Sequence, residues 1–211
     1  MPYIATRGPG RPPAAKAAET RERIVHAARE VFSELGYDAA TFQAIAVRAD
    51  LTRPAINHYF VNKRVLYREV LDQTSEAVVA AGRRRAEDEP TFLKRLSAFF
   101  VSTIQADTKD RWAAAFLVTS ILESQRHPEL REEEHNPLTA SREFMTWAVA
   151  DAIERGELTV DTDVETLVEM LVAVLWGMGF YAGYVGSERE AAAVVERLEL
   201  LLANKLWQIT D

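Results

Sequence analysis

The sequence contains no cysteine. Disulfides and thiolate metal sites are therefore excluded, and nothing points to an oxidising compartment. It also lacks a Gly-rich phosphate loop, a Ser/His/Asp arrangement and any alternating strand pattern. The one acidic run beside a histidine, Glu132-Glu133-Glu134-His135, matches no common two-His metal spacing and reads as a solvated helix end. His58 has no acid or second His placed to work with it, so neither a metal nor a catalytic role is assigned to it. No cofactor or metal is expected. The first residues are polar, basic and Pro-rich, without the apolar core of a signal peptide, and a reducing cytoplasm fits best.

Positive charge is scarce overall. The net charge of −7 argues against a protein that coats nucleic acid along its whole surface. The distribution is uneven, however. Residues 1–85 hold 14 Lys/Arg and 9 Asp/Glu, whereas residues 86–211 hold 11 and 23. A basic front and an acidic rear suit a chain that docks on DNA by one end. Uneven surface charge without a partner is the alternative, unless the basic half carries a recognisable motif.

Long uncharged runs are limited to one, Met170 to Ser187. Its 18 residues approach the length of a minimal membrane span. It includes Gly177, Gly179, Gly183 and Gly186, is flanked by Glu169 and Glu188, and has no Lys/Arg cluster beside it. A helix apolar nearly all round is then read as buried within a protein or a dimer, not as a membrane span.

What is present is helical periodicity throughout, so the expected class is all-α. Ile24, Ala27, Ala28, Val31, Phe32 and Leu35 define a first helix over about Ala17 to Leu35, and Gly36 stops it. Thr41 caps a second helix through Phe42, Ile45, Ala46 and Ala49. Asp50-Leu51 breaks the pattern, Thr52 caps a third helix, and Pro54 falls in its first turn. Asn62 caps a fourth helix from Lys63 to about Arg85. Two short helices joined by a tight turn, with Ile56 and Phe60 facing inward, form a helix-turn-helix pattern.

On the open side of the third helix stand Thr52, Arg53, Asn57 and His58. Arg53 suits guanine and Asn57 suits adenine in a major groove. Thr41, Gln43, Thr52, Tyr59 and Lys63 are the candidate phosphate contacts. Gly10-Arg11-Pro12 resembles the centre of an AT-hook, so Arg11 is a candidate for the minor groove, although three such residues equally suit a flexible tail.

Residues 20–71, TRERIVHAAREVFSELGYDAATFQAIAVRADLTRPAINHYFVNKRVLYREVL, resemble the N-terminal domain of the TetR (tetracycline-repressor-like) transcriptional regulators. The match runs in one register over about fifty residues and includes Leu-Gly-Tyr ahead of the Thr-capped helix, then Tyr-Phe, Asn-Lys and Leu-Tyr. The later residues resemble the family only in architecture, including the Arg-Gly-Glu-Leu turn at 155–158. Two departures stand out. Asp50 stands where the family usually has Gly, and Asn57 where it commonly has Tyr. Asp tolerates positive φ, so the turn survives, while Asn57 implies a different operator sequence.

The expected division is a basic disordered arm at 1–16, a helix-turn-helix domain at 17–68, and a helical ligand-binding and dimerisation domain at 69–211. A polar, turn-like stretch lies at Glu87 to Pro90. The resemblance implies a homodimer through the last two helices, a near-palindromic double-stranded operator, and release from it when a small ligand moves helix 4. It also implies a pocket in the rear domain. Trp112, Phe116, Trp147 and Trp176 are the favoured lining residues, with Phe180 beside them and Thr119, Glu123 or Tyr181 as polar anchors. Four Trp and nine Phe suit a bulky apolar or aromatic ligand. Two other classes compete: an all-α enzyme with a coincidental helix-turn-helix, which would need a catalytic constellation, and a helical module that binds another protein.

Overall fold

The computed structural model describes residues 13–104, 112–131, 136–159 and 163–206, and all regular structure among them is helical. Arg11 and the Glu132–His135 run lie outside the described residues. Helix α1 (Pro13–Ala39) buries Ile24, Ala27, Ala28, Val31 and Phe32 along one stripe. It breaks at Gly36, where φ is 75°. Only Gly takes that conformation cheaply, and a Cβ there would also stand 2.9 Å from Glu123 Oε1.

Helices α2 (Phe42–Arg48) and α3 (Arg53–Tyr59) have seven residues each. Helices this short do not stand alone in water. Caps and core hold them. Thr41 and Thr52 side chains accept from the amides of Ala44 and Ala55. Ile45, Ile56 and Phe60 are fully buried against α1, each burial favourable by about 1.5–3 kcal/mol. The turn between them places Asp50 at φ 51°, the left-handed conformation foreseen for it.

Asn62 caps α4 (Lys63–Ser75), its Oδ1 accepting from the Val65 amide at 2.9 Å. The rod then passes through a π-helical turn (Glu76–Ala80) into α5 (Ala81–Glu87). The sequence pattern had suggested one plain helix here, because one extra residue in a turn leaves hydrophobic spacing nearly intact. After α6 (Phe92–Ile104) comes α7 (Trp112–Arg126), which packs on α1, α4 and α9. A 3₁₀ turn (Pro128–Leu130) follows, then α8 (Pro137–Glu154) and α9 (Val164–Phe180).

Helix α9 runs into a second π-helical turn (Tyr181–Val185), and Ser187 and Glu190 form a reciprocal capping box for α10 (Glu188–Leu202). A Cβ at Gly183 would approach Ala115 N and Cα to 2.8 Å, so this glycine serves internal packing of the π-helical turn on α7. By length and composition Val164–Val185 could cross a membrane, yet a third of its best window is buried inside the protein. Its exposed positions include Met170, Ala173, Gly177, Phe180 and Tyr184, spaced three or four apart on one face. One hydrophobic core runs from Ile24 on α1 through Phe116 on α7 to Val195 on α10.

Candidate DNA-reading face and ligand domain

The α2–α3 unit is fixed from below by charged side chains of α1. Arg23 Nη2 donates to the carbonyls of Ala49 and Asp50 at 2.5 and 3.1 Å, staking the turn. Arg48 on α2 pairs with Glu30 and Glu34 at 2.5 and 2.6 Å. Arg21 grips Glu69 of α4 through Nε and Nη2, at 3.1 and 3.0 Å, and lies 4.4 Å over the Phe60 ring. Those hydrogen bonds from Arg21 hold the Glu69 carboxyl below its ordinary range.

With these cations engaged inward, the open face is left to other residues. Thr41, Gln43, Thr52, Arg53, Asn57 and His58 are all exposed. Arg53 and Asn57 are four apart on α3 and therefore share a face. The side chains of Arg53, Asn57 and Gln43 make no hydrogen bond or ion pair among the described residues. Each threonine cap uses its oxygen as an acceptor, which leaves the hydroxyl proton available. Tyr59 is half-buried and packs edge-on against His58, ring centroids 5.3 Å apart.

Lys63 stands differently from its expected place on a phosphate. Its ammonium donates to the carbonyls of Tyr37, Asp38 and Ala40 at 2.6, 3.1 and 3.2 Å. It also sits 4.4 Å over the Tyr37 ring. All three ammonium donors are engaged, so Lys63 ties the start of α4 to the end of α1.

That joint continues into α7, a connection the sequence pattern did not reveal. The Tyr37 amide donates to Glu123 Oε1 at 3.3 Å. Glu123 is 4% exposed, and its Oε2 lies 3.4 Å from His127 Nε2. The same imidazole nitrogen lies 3.3 Å from Asp38 Oδ2, and its ring packs on Tyr37 at 5.2 Å. Glu123, weighed as a ligand anchor, thus serves the junction. The available signal was the Glu123–His127 spacing of four across the C-terminal end of α7. Its partners, 86 residues away for Tyr37, leave no local trace.

The expected pocket residues scatter. Phe116 is fully buried in the same junction, 6.4 Å from Phe32 and 5.4 Å from Tyr67. Trp112 is half-buried at the α1 side, where its carbonyl accepts from Ser33 Oγ at 3.5 Å. Thr119 bonds to the Ala115 carbonyl and to the Tyr184 hydroxyl. Trp147 packs on Phe144 and under the Arg95 guanidinium, 4.9 Å away, which in turn pairs with Asp151. Phe180 is 51% exposed on the outer face of α9. Trp176 does line a cavity, with Val78, Val79, Leu117 and Leu175, but a small one of about 20 Å³. Bulk and helical spacing mark an aromatic as buried or packed, but not which helix it meets.

A capped two-helix reader packed on α1, joined through a rod to an all-α rear domain, defines a helix-turn-helix DNA-binding protein. "Bacterial regulatory proteins, tetR family" matches residues 24–70, and "Tetracyclin repressor-like, C-terminal domain" matches residues 86–198. The chain belongs to the TetR family of transcriptional regulators.

Among its relatives is the transcriptional regulator UidR of Escherichia coli, 27% identical over 164 residues, covering 77% of this chain and 81% of UidR. Another is the transcriptional regulator TtgR of Pseudomonas putida, 26% identical, with 77% and 80% covered. The fold is shared with the fatty acid degradation regulator FadR from Bacillus halodurans at a TM-score of 0.72 and 19% identity, over 97% of this chain and all of that one. FadR from Bacillus subtilis, solved in complex with stearoyl-CoA, gives 0.70 and 19%, with 88% and 99% covered.

Proposed function

We propose that this regulator is a cytoplasmic homodimeric repressor, not an enzyme, that reads a near-palindromic operator with α3 and leaves it when a small ligand enters the rear domain. The observation that carries this reading is the pair Arg53 and Asn57, exposed four residues apart on α3 and without partners among the described residues. Arg53 reads guanine and Asn57 adenine, with His58 at the edge of the same face. Thr41, Gln43, Thr52 and Tyr59 hold phosphates, and Lys63 positions the unit without touching DNA. Arg11 in the N-terminal arm is assigned to the minor groove. The division adopted is an arm at 1–16, a reading head at 17–68 and a rear domain at 69–211.

The apolar stripe on α9 supports a dimer. Met170, Phe180 and Tyr184 are large, exposed and aligned, and Val194 and Leu201 of α10 are exposed as well. Ala173 and Gly177 are small enough for a second helix to approach closely, and nothing lies within 4 Å of a Cβ built at Gly177. A two-fold dimer places its two reading helices in successive major grooves, about 34–36 Å apart. The mostly apolar walls beside Trp176, which include Val78 and Val79 of the rod that begins with α4, support an apolar ligand that widens this small cavity on entering. Acyl and aromatic molecules both suit such walls, as the stearoyl-CoA complex of the Bacillus subtilis FadR illustrates.

Hydroxyl-radical footprinting on DNA flanking the protein's own gene tests this reading. Two protected half-sites about one helical turn apart are expected. A single protected site, or uniform protection without sequence preference, overturns it.

A further inference from the structure

Residues 36–40 lead from α1 into the Thr41 cap of α2, and two other elements grip them. One is the start of α4, where Lys63 donates to three of their carbonyls. The other is the end of α7. There the Glu123 carboxylate accepts from the Tyr37 amide at 3.3 Å. It fits because Gly36 has no side chain, a Cβ at that position standing 2.9 Å from Glu123 Oε1.

The His127 ring lies at the centre of this second grip. Its backbone belongs to the rear domain: the amide donates to the Glu123 carbonyl at 2.8 Å, and the carbonyl accepts from the Leu130 amide at 2.9 Å. Its ring packs on Tyr37 of α1. Nε2 is 3.4 Å from Glu123 Oε2 and 3.3 Å from Asp38 Oδ2, and Nδ1 is 3.4 Å from Glu129 Oε1. Carboxylates from α1, α7 and the 3₁₀ turn therefore surround one imidazole, and both of its nitrogens face an acceptor. A neutral ring has one N–H and one lone pair, so one nitrogen would oppose a carboxylate lone pair to lone pair; only the protonated ring suits both. The His127 side chain is 17% exposed and that of Glu123 6%, so water and salt screen their pair little.

The neighbouring cations do not replace that charge. Arg126 stands 3.8 Å from Glu123 on a side chain open to solvent. Lys63 and Arg64 act on Tyr37 instead. Burial pushes the hydroxyls of Tyr37 and Tyr67 upward, so both stay neutral.

We propose that His127 is a positioning residue for operator reading: its protonated ring clasps the end of α1 to α7, and operator affinity follows its proton. This rests on the reading that the unliganded chain binds an operator through α3. Histidine changes charge between about pH 5 and 8. With the proton, the ring offsets the three carboxylates, and residues 36–40 are held from both α4 and α7. Without it, three like charges crowd one seam, Asp38 turns to water, and the segment leading into the Thr41 cap loosens. Proton and operator favour the same arrangement, so linkage makes affinity greatest at the acid end of this range and lowers it as pH rises. The Asp38 side chain is 82% exposed, which places the effect at the low end of such couplings, about fivefold.

The test measures affinity of the full chain for DNA flanking its own gene by fluorescence anisotropy, at about pH 6 and about pH 8. The wild-type ratio of the two affinities should exceed that of His127→Gln about fivefold. His127→Lys is charged throughout and should bind about fivefold more tightly than wild type at the higher pH. Glu123→Gln keeps an acceptor for the Tyr37 amide and removes the charge that His127 answers, so its ratio should match that of His127→Gln. His26 and His58 are the same in all four proteins, so their own titration cancels in these comparisons. Thermal unfolding at each pH checks that every variant is folded, and the salt slope of binding should be common to all, because His127 touches no phosphate.

Equal ratios in the wild type and His127→Gln, or a ratio that Glu123→Gln leaves at the wild-type value, overturn the clasp, while specific binding in the same titrations leaves the repressor reading standing. A salt slope that differs by about 0.9 between His127→Lys and His127→Gln places the residue on a phosphate and also overturns it. Absence of specific binding by the wild type at either pH overturns the repressor reading, and this inference with it.

Discussion

Lys63→Met separates two roles for one residue. Methionine keeps most of the side-chain length and loses the charge. Three bonds from the ammonium to the carbonyls of Tyr37, Asp38 and Ala40 disappear, along with its place over the Tyr37 ring. Hydrogen bonds to a charged group are worth about 1.5–3 kcal/mol each when well buried. Lys63 is only half-buried, so water reaches part of the site and about 1 kcal/mol per bond is the fitting scale. The expected loss is about 3 kcal/mol, or about 6–12 °C in Tm for a chain of this size.

Operator binding should weaken without any change in its salt dependence, because no phosphate contact is lost. Fluorescence anisotropy across a salt series, beside thermal unfolding, reads both quantities. A fall in the salt slope of about 0.9, with Tm unchanged, would show that Lys63 holds a phosphate and refute the reasoning.

Three further outcomes follow from named contacts. Asn57→Ala should cost about 1–3 kcal/mol of operator affinity, confined to one base position in a binding-site selection, with the salt slope intact. Phe180→Glu puts a charge in the apolar stripe of α9 and should give a monomer by sedimentation at micromolar concentration; an unchanged dimer would move the interface elsewhere. Glu69 has a folded pKa below its unfolded one, so its pairing with Arg21 stabilises fully above about pH 4.3 and is lost as pH falls through the folded value. Arg21→Ala should therefore flatten the acid limb of the stability curve, and an acid limb identical to wild type would discard that pairing.

Local features were legible in the sequence. Thr41, Thr52 and Asn62 cap the helices they were read as capping, because each signal lies within four residues of what it satisfies. Gly36 and Asp50 adopt the positive φ their chemistry allows. Which side chains stand open on α3 was also readable, since the apolar stripe of Ile56 and Phe60 fixes the opposite face. Contacts between distant segments were not. Phe116 suits a pocket wall by type and packs on Phe32; Lys63 suits a phosphate by type and holds three carbonyls. Both have the right residue type for either role, and only the fold decides between them. The π-helical turns at Glu76–Ala80 and Tyr181–Val185 escaped for another reason: hydrophobic spacing tolerates one added residue.

The central claim is that α3 reads a specific operator. The most direct measurement is the affinity of the full chain for DNA flanking its own gene against that for scrambled DNA of equal length, at physiological salt. The account predicts a ratio of about 10³ or more, reduced by Arg53→Ala and Asn57→Ala together toward the non-specific level. A ratio near one for the wild type, or a ratio that the double substitution leaves intact, would contradict it.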